Sequence, residues 1–248
     1  MNRIAALDVS FDRVTSDELV GRIAQAISRR ERLKIAHHNL HSAYLLQRNG
    51  DMRRWYELAD IVYADGMSLV ALAWLARRGG RRAHRTTPLD LIDPLFSLAA
   101  EEGWRVFLLG GRPGVAGRFA RAVGERFPGA HMETAHGYFN ADMGSAENES
   151  VVSEINRFRA DLLLVGMGMP RQENWLAENH RELHASVLMP VGGLFDYLAG
   201  ETRVPPRWLG RLGLEWLYRL VSEPRRLAFR YLAEPAILAF MIAWKRLR

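Results

Sequence analysis

The chain has 248 residues, of which 48% are hydrophobic, and it carries a net charge of +6. This length suits one large domain, or one domain with an appendage, and the apolar content is enough for a sizeable core. The absence of cysteine excludes disulfides and thiolate chemistry. No run of about 20 apolar residues is present, so we expect no transmembrane helix. The first residues do not have the pattern of a signal peptide.

The positive charge is concentrated in the C-terminal part of the chain. Residues 203–248 contain ten Lys or Arg and three acids, which gives +7, while the remainder carries −1. Arginines alternate there with large aromatics such as Trp208 and Trp244, which suits an anionic membrane surface. The alternative is a helical hairpin that packs on the domain with its arginines in solvent. We therefore predict an α/β domain at residues 1–202 and a basic, aromatic, membrane-associating appendage at 203–248.

Strand and helix patterns alternate along residues 1–202. A hairpin is predicted at residues 4–14, and Thr15-Ser-Asp-Glu18 forms a capping box before the first helix. Predicted strands cover residues 33–36, 61–63, 104–109, 130–134, 162–165 and 186–191. Predicted helices cover residues 15–28, 42–48, 69–75, 89–102, 114–127, 149–159 and 171–184. This alternation predicts an α/β fold with a doubly wound, mostly parallel, Rossmann-like sheet.

A Gly-x-Gly loop connects one buried strand to the following helix. Gly166 and Gly168 allow a sharp turn and leave room for a ligand, and Pro170 suits the first turn of a helix. Gln172 and Glu173 lie in that first turn, where free backbone N–H groups favour an anion or a polar ligand edge. The competing interpretation is a tight strand–helix connection, with Glu173 merely favourable at a helix N-terminus.

Further polar or glycine-rich groups fall where other predicted strands end. The carboxyl ends of parallel strands meet at one edge of a sheet, and ligands bind there in open α/β folds. Together with the Gly-x-Gly loop, these groups predict one crevice rather than scattered turns. The groups are Asn39, Asp65 with Gly66, Gly110 with Gly111, and Gly192 with Gly193 and Asp196.

Asp65 is the acidic residue that we expect to carry chemistry. It directly follows an apolar strand and precedes Gly66, so its carboxylate should be held at the crevice. A carboxylate placed in this way can accept a proton from a hydroxyl nucleophile. The alternative is an Asp-Gly turn with a solvated side chain. Arg85 lies nearby in sequence and could meet a phosphate or pair with Asp90.

Metal binding is not expected. His37 and His38 are adjacent on a strand, so their side chains point to opposite faces. The sequence also has no Asp-x-Asp motif that would hold a divalent cation on a sugar-nucleotide pyrophosphate. A metal-independent site without a cofactor is the better prediction. Acyl-transfer chemistry is not expected either, because no Gly-x-Ser-x-Gly element is present.

These residues resemble the motifs of the WecG/TagA/CpsF family of bacterial glycosyltransferases, in the family's order, from about residue 4 to the tail. The most specific resemblance lies at residues 166–175 and 215–226. The matching pieces are Asn39, Ala64-Asp65-Gly66, Arg85 with Asp90, Phe107-Leu-Leu-Gly-Gly111 with Pro113-Gly114, Gly137-Tyr-Phe139, Val165-Gly-Met-Gly-Met-Pro-Arg-Gln-Glu-Asn-Trp175, Val191-Gly-Gly-Leu-Phe-Asp196 with Ala199-Gly200, and Gly213-Leu-Glu-Trp-Leu-Tyr-Arg-Leu220 with Glu223-Pro-Arg-Arg226.

The resemblance implies an inverting, metal-independent transfer of a sugar from a UDP-sugar to a polyprenyl-diphosphate-linked sugar. The enzyme would be cytoplasmic and peripheral on the inner face of the cell membrane, in exopolysaccharide or cell-surface glycan assembly, and Asp65 would be its base. The donor-binding residues would be Asn39, Gly66, Arg85, Asp90, Gly110, Gly111, Gly166, Gly168, Pro170, Gln172, Glu173, Gly192, Gly193 and Asp196. The residues for the acceptor diphosphate or the membrane would be Arg203, Arg207, Arg211, Arg219, Arg225 and Arg226.

Two departures from the family pattern bear on the donor sugar. His37 stands where family members often carry Thr, and Pro88 stands where they often carry Gly. Both positions are expected near the sugar pocket, so the hypothesis favours a hexose such as glucose over N-acetylmannosamine or a hexuronic acid.

Two functions of another class stay open as alternatives, a nucleic-acid-binding module and a non-catalytic sugar-nucleotide sensor. A crevice acid argues against the first, so we expect no nucleic-acid partner. Homo-oligomerisation is left open.

Overall fold

The computed structural model describes residues 3–246, except for the side chains of residues 207, 211, 212 and 246. Within this range the strands are short and mostly buried, and each strand of the main sheet is connected to the next through helices. The strands are β1 (Arg3–Ala6), β2 (Val9–Asp12), β3 (Leu33–His38), β4 (Ile61–Asp65), β5 (Arg85–Thr86), β6 (Arg105–Gly110), β7 (His131–Ala135), β8 (Leu162–Gly166) and β9 (Val187–Pro190).

The helices alternate with these strands up to residue 198 and then follow one another. They are α1 (Ser16–Arg29), α2 (Leu40–Leu46), α3 (Gly50–Leu58), α4 (Met67–Leu75), α5 (Pro88–Glu102), α6 (Val115–Arg126), α7 (Ala146–Phe158), α8 (Arg171–Asn179), α9 (Leu194–Leu198), α10 (Arg207–Leu212), α11 (Glu215–Ser222), α12 (Pro224–Ala228) and α13 (Glu234–Arg246). A short 3₁₀ turn at Arg82–His84 precedes β5, and a π turn at Phe229–Ala233 joins α12 to α13.

Seven of the described strands form one parallel sheet in the order β5-β4-β3-β9-β8-β6-β7, and β1 and β2 form a separate antiparallel hairpin. Every residue of β8 is buried, because helices cover both faces of the sheet and exclude water from both. Two hydrophobic clusters lie on the two faces. The predicted α/β class and the parallel, Rossmann-like sheet are confirmed.

Element boundaries differ from the sequence prediction where polar residues end a strand. β3 runs on to His38 and β4 runs on to Asp65, so the polar residues at these ends belong to the strands. The helix α3 and the two-residue strand β5 were not predicted. The predicted helix from residue 171 to 184 is shorter, because α8 ends at Asn179. The capping box at Thr15 and Glu18 is present.

The C-terminal residues 224–245 form one unbroken helix of 22 residues, which by length and composition alone is apolar enough to cross a membrane. The expectation of no transmembrane helix stays a prediction, because this segment also contains Arg225, Arg226, Arg230 and Glu234. One face of this helix packs on the body, where Leu238 and Ile242 join the hydrophobic core. The opposite side exposes Phe229, Leu232, Phe240 and Trp244.

Candidate active site

Asp65 and Asn39 are neighbours at the carboxyl edge of the sheet. β3 and β4 pair in parallel, with His38 opposite Ala64. The residues that follow these two, Asn39 and Asp65, therefore lie side by side. The Asn39 amide nitrogen donates to Asp65 Oδ2 at 3.1 Å. The other end of the same amide accepts from the Ser42 backbone N–H at 3.0 Å and caps α2. Asn39 therefore fixes the Asp65 carboxylate to the start of a helix.

His37 lies behind this pair and is almost fully buried. Its Nε2 is 4.0 Å from Asp65 Oδ2, and its ring stacks on Tyr63. Burial lowers the pKa of His37, while the Asp65 charge opposes that shift. His38 points elsewhere: its Nδ1 contacts Ser42 Oγ at 3.0 Å, and burial lowers its pKa to about 3. The two imidazoles have different neighbours, as the alternation of a strand predicts.

Two arginines from the C-terminal segment lie close enough to Asp65 for its charge to act on them. The Arg219 guanidinium lies 5.7 Å from the ring centre of Tyr197, and the Arg230 guanidinium lies 5.9 Å from that of Tyr231. The Asp65 charge acts on both guanidinium groups. Burial lowers the pKa of Arg230, and the charges of its acidic neighbours counter part of that shift. The site thus combines one carboxylate with two partly buried cations.

Arg85 is held between two carboxylates. Its Nη1 is 2.9 Å from Asp90 Oδ2, and its Nη2 is 2.9 Å from Glu215 Oε1 in α11. Asp90 Oδ2 also accepts from the Thr87 hydroxyl at 2.8 Å. Of the two roles considered for Arg85, a phosphate contact or a pairing with Asp90, the structure has the pairing with Asp90. Arg85 additionally ties the basic C-terminal segment to the edge of the sheet.

Gln172 and Glu173 do not face an open crevice, contrary to the expectation that both point at a ligand. Each is completely buried. Gln172 Oε1 accepts from the Gly192 backbone N–H at 3.0 Å, and Gln172 Nε2 donates to Glu173 Oε1 at 2.8 Å. Glu173 Oε2 has no hydrogen-bond partner, and burial raises the pKa of Glu173 to about 7. The two side chains therefore connect the first turn of α8 to the loop after β9.

The glycines of the crevice differ in what requires them. A Cβ on Gly166 would lie 2.8 Å from the Phe195 ring, and one on Gly110 would lie 2.2 Å from the Gly166 carbonyl oxygen. Both are therefore packing glycines between strands and neighbours. Gly168 has a φ of 79° and nothing within 4 Å of its Cβ position, so its role is conformational and it leaves open space.

The other predicted donor residues line the same edge. Gly66 and Gly192 have positive φ angles in the turns after their strands, as does Gly111. Pro170 precedes the first residue of α8. Gly193 lies against Asp196, whose pKa is raised by burial.

A cleft of about 370 Å³ opens at the other end of this edge, between α6, β7 and α7. Its lining includes Gly114 at the start of α6, together with Thr134, His136 and Glu154. Five strand spacings separate β4 from β7, or about 24 Å at the usual inter-strand distance. The cleft is thus separate from the space beside Asp65.

Comparison with known proteins identifies the family of this chain. The sequence model described as "Glycosyl transferase WecG/TagA/CpsF family" matches residues 4–248. The chain belongs to this family. Two similar relatives come from Staphylococcus aureus strains MW2 and NCTC 8325, and each is 31% identical over 169 residues. Both are named N-acetylglucosaminyldiphosphoundecaprenol N-acetyl-beta-D-mannosaminyltransferase. The matched region is 68% of this chain and 64% of each relative, so it spans less than two thirds of their length.

The predicted tail arginines of this family member lie in different surroundings. Arg219 turns inward to Tyr197 and the Asp65 site. Arg203 and Arg225 are exposed, and Arg226 is paired with Glu223 at 2.5 Å. The side chains of Arg207 and Arg211 lie outside the part of the chain that the structure describes.

Sequence reasoning missed Arg230, Tyr197 and Glu215 as members of the site. Arg230 was counted only as tail charge, because its direction depends on how the C-terminal helix folds back over the sheet. The useful signal for Asn39 was its position two residues after His37 on the same strand face, next to a strand that ends in Asp65. No comparable spacing connects Tyr197 with Arg219.

Proposed function

We propose that this chain is an inverting glycosyltransferase that moves a sugar from a UDP-sugar to a polyprenyl-diphosphate-linked sugar, with Asp65 as its base. The observation that carries the proposal is the position of Asp65, held by Asn39 at the carboxyl edge of the sheet with Arg219 and Arg230 close by. Family membership supports the reaction class. Open α/β sheets bind their ligands at this edge.

In the proposed reaction, Asp65 removes the proton from the acceptor hydroxyl. The hydroxyl oxygen attacks the anomeric carbon of the donor, the bond from that carbon to the diphosphate breaks, and UDP leaves with the electron pair. One displacement of this kind inverts the anomeric configuration. The partly exposed carboxylate can reach an incoming hydroxyl, while its amide partner keeps it oriented.

Arg219 and Arg230 would neutralise the diphosphate of the lipid-linked acceptor. Guanidinium groups suit this task, because their N–H donors match phosphate oxygens in pairs and they remain charged. Both side chains already lie against aromatic rings, which restricts their motion before any ligand arrives. Gly168 and Gly192, at the ends of β8 and β9, would approach the donor through their backbones.

The donor sugar is the finer part of the proposal. The names of the relatives support N-acetylmannosamine as the donor sugar. We therefore place it before the glucose-type hexose that His37 and Pro88 suggested. His37 lies directly behind Asp65 and is bulkier than the Thr common in the family, so a changed sugar pocket remains the second candidate. UDP-N-acetylmannosamine, UDP-glucose and UDP-glucuronic acid should therefore be compared side by side with one acceptor, a short-chain prenyl-diphosphate N-acetylglucosamine.

We also propose that the enzyme is peripheral on the cytoplasmic membrane face, with residues 203–248 as its contact. A peripheral position suits the contacts of the C-terminal helix, since Glu234 Oε2 is 2.7 Å from His41 Nδ1 in α2 and Arg230 faces the Asp65 site. If this helix crossed the membrane, Glu234 would lose its contact with His41, and Arg230 would move away from the Asp65 site.

The decisive experiment pairs Asp65→Asn with a control carboxylate, Asp93→Asn, whose side chain is 67% exposed on α5. Loss of a general base lowers turnover about a hundredfold or more, while UDP binding measured by calorimetry stays within about twofold. Asp93→Asn should behave like the parent protein. Parent-like turnover in Asp65→Asn at saturating donor would remove Asp65 from this role. A protein that binds UDP-sugars but turns over none of the three would be a sensor.

A further inference from the structure

α4 and the loop after it form a surface that the tail does not cover. Only Ser68 of the nine residues in α4 is polar, and a helix that is apolar on all sides is normally covered on all sides. The C-terminal turn of α4 is not covered: Leu72 is 36% exposed, and Trp74 and Leu75 are each 67% exposed. This apolar tip lies outside the site described above and has no role in the proposed reaction.

The tip is bordered by basic residues. Residues 66–89 contain five arginines and no acid. Arg77, Arg78 and Arg81 are exposed directly after the apolar turn. The Arg13 side chain reaches the same loop, 2.7 Å from the Cβ position of Gly79. The charge of Glu18 acts on His84 in this loop, and the Glu18 carboxylate accepts a hydrogen bond from the Thr15 backbone N–H at 2.9 Å.

The segment that carries this surface contacts the basic C-terminal segment at two points. The Cβ position of Gly213 lies 3.0 Å from the Met67 side chain at the start of α4. At the end of the loop, Arg85 is paired with Glu215 of α11. The adjoining helices α10 and α11 expose further large apolar side chains, Trp208 and Trp216 among them. The tail therefore contacts residues 67 and 85, at the two ends of the segment that carries the α4 tip.

We propose that the α4 surface, defined as Leu72, Trp74, Leu75, Arg77 and Arg78, is a second membrane-contact surface that inserts its apolar tip into an anionic bilayer. Exposed Trp and Leu beside arginines fit the boundary between headgroups and acyl chains. Anionic lipid complements the positive charges of Arg77 and Arg78. The inference rests on the proposed function only in that a lipid-linked acceptor brings the enzyme to a membrane.

A second copy of the chain fits this surface less well. A two-fold interface brings the same patch of both subunits together. Arg77 and Arg78 of one copy would then face the same arginines of the other, without an acid in residues 66–89 to compensate them. A nucleic acid is also a poorer occupant, because two of the three exposed apolar side chains are aliphatic and give no stacking platform.

The first test uses the absence of cysteine, which allows a single fluorescent label at a chosen position. Leu75→Cys and the control Ser153→Cys, exposed on α7, are each labelled with an environment-sensitive dye. Vesicles of phosphatidylglycerol and phosphatidylcholine in equal amounts should shift the emission at position 75 to the blue and leave position 153 unchanged. Pure phosphatidylcholine should shift neither. If position 75 stays in water while the protein sediments with anionic vesicles, the tail alone binds and the proposal is wrong.

The second test compares two arginine pairs, one at the α4 surface and one at α7. Arg77 and Arg159 both follow a helix with positive φ, 54° and 56°. Arg77→Gln/Arg78→Gln should weaken binding to the anionic vesicles about tenfold or more, because each Arg near an anionic surface contributes a several-fold factor. Arg157→Gln/Arg159→Gln, in and after α7, should change it less than about twofold. Equal losses in the two pairs would mean a general charge effect and would overturn the assignment.

The remaining outcomes separate this surface from the proposed reaction. Trp74→Ser/Leu75→Gln should keep transfer to a short-chain acceptor in solution and lose transfer to a long-chain acceptor in vesicles. A parent protein without transfer on either acceptor would count against the proposed function, while vesicle binding by position 75 would still stand. A blue shift at position 75 that grows with protein concentration in the absence of lipid would identify a self-association surface and overturn the membrane assignment.

Discussion

Glu173 should make the protein less stable as the pH rises. Its carboxyl is fully buried, and its pKa is raised by burial from an ordinary 4.5 to about 7. Between these two pH values the folded protein keeps the proton and the unfolded chain releases it. The free energy of unfolding therefore falls as pH rises through this window. A shift of this size corresponds to about 3 kcal/mol, at about 1.4 kcal/mol per pKa unit, and most of it is lost between pH 5 and 8.

The variant Glu173→Gln removes this titration while retaining an oxygen that can accept the 2.8 Å hydrogen bond from Gln172. Urea unfolding of both proteins at pH 5 and pH 8 isolates the effect, because other titrating groups are common to both. The variant should gain about 2 to 3 kcal/mol relative to the parent on going from pH 5 to pH 8. Parallel stability–pH curves would show that Glu173 is ionised in the folded protein, and the argument from burial would then be refuted.

Three further changes test the packing and charge of the site. Gln172→Leu leaves the Gly192 N–H and the Glu173 carboxyl without their hydrogen-bond partner, so the free energy of unfolding should fall by about 1 to 3 kcal/mol per group. UDP affinity should also fall, because the loop after β9 loses its support. Unchanged stability and affinity would contradict this role of Gln172. Gly110→Ala should cost about 1 to 3 kcal/mol in thermal unfolding because of the 2.2 Å approach to a carbonyl, whereas Gly21→Ala, with open space around it, should be neutral or stabilising. Arg230→Gln should lower transfer more than tenfold with UDP affinity kept, and equal activity with the parent would remove this arginine from the diphosphate site.

Much of the sheet edge could be predicted from local patterns. Apolar runs of strand length gave the strands, and the residues that follow them gave Asp65 and the glycine turns. The pairing of Asn39 with Asp65 follows from two parallel strands that end together. These features need only the period of a strand and the rule that parallel strands share one carboxyl edge.

Contacts between distant segments could not be predicted in the same way. Gln172 was expected to face a ligand, because a helix N-terminus usually offers its first turn to solvent. Its real partner, Gly192, is 20 residues away and becomes adjacent only because β9 lies beside β8. The same holds for Arg230, whose charge was visible in the sequence but whose approach to Asp65 depends on the path of the C-terminal helix.

The position of β9 has a consequence for how the protein reaches its native state. β9 is the last strand in the chain, yet it lies at the centre of the sheet and pairs with β3 on one side and β8 on the other. Until it docks, the β3–β4–β5 and β6–β7–β8 halves have no strand pairing between them. Closure over such long sequence separations is slow, so we expect the docking of β9 to limit the folding rate. Asp65 belongs to the first half and Gln172 to the second, so the site would be completed only in that late step.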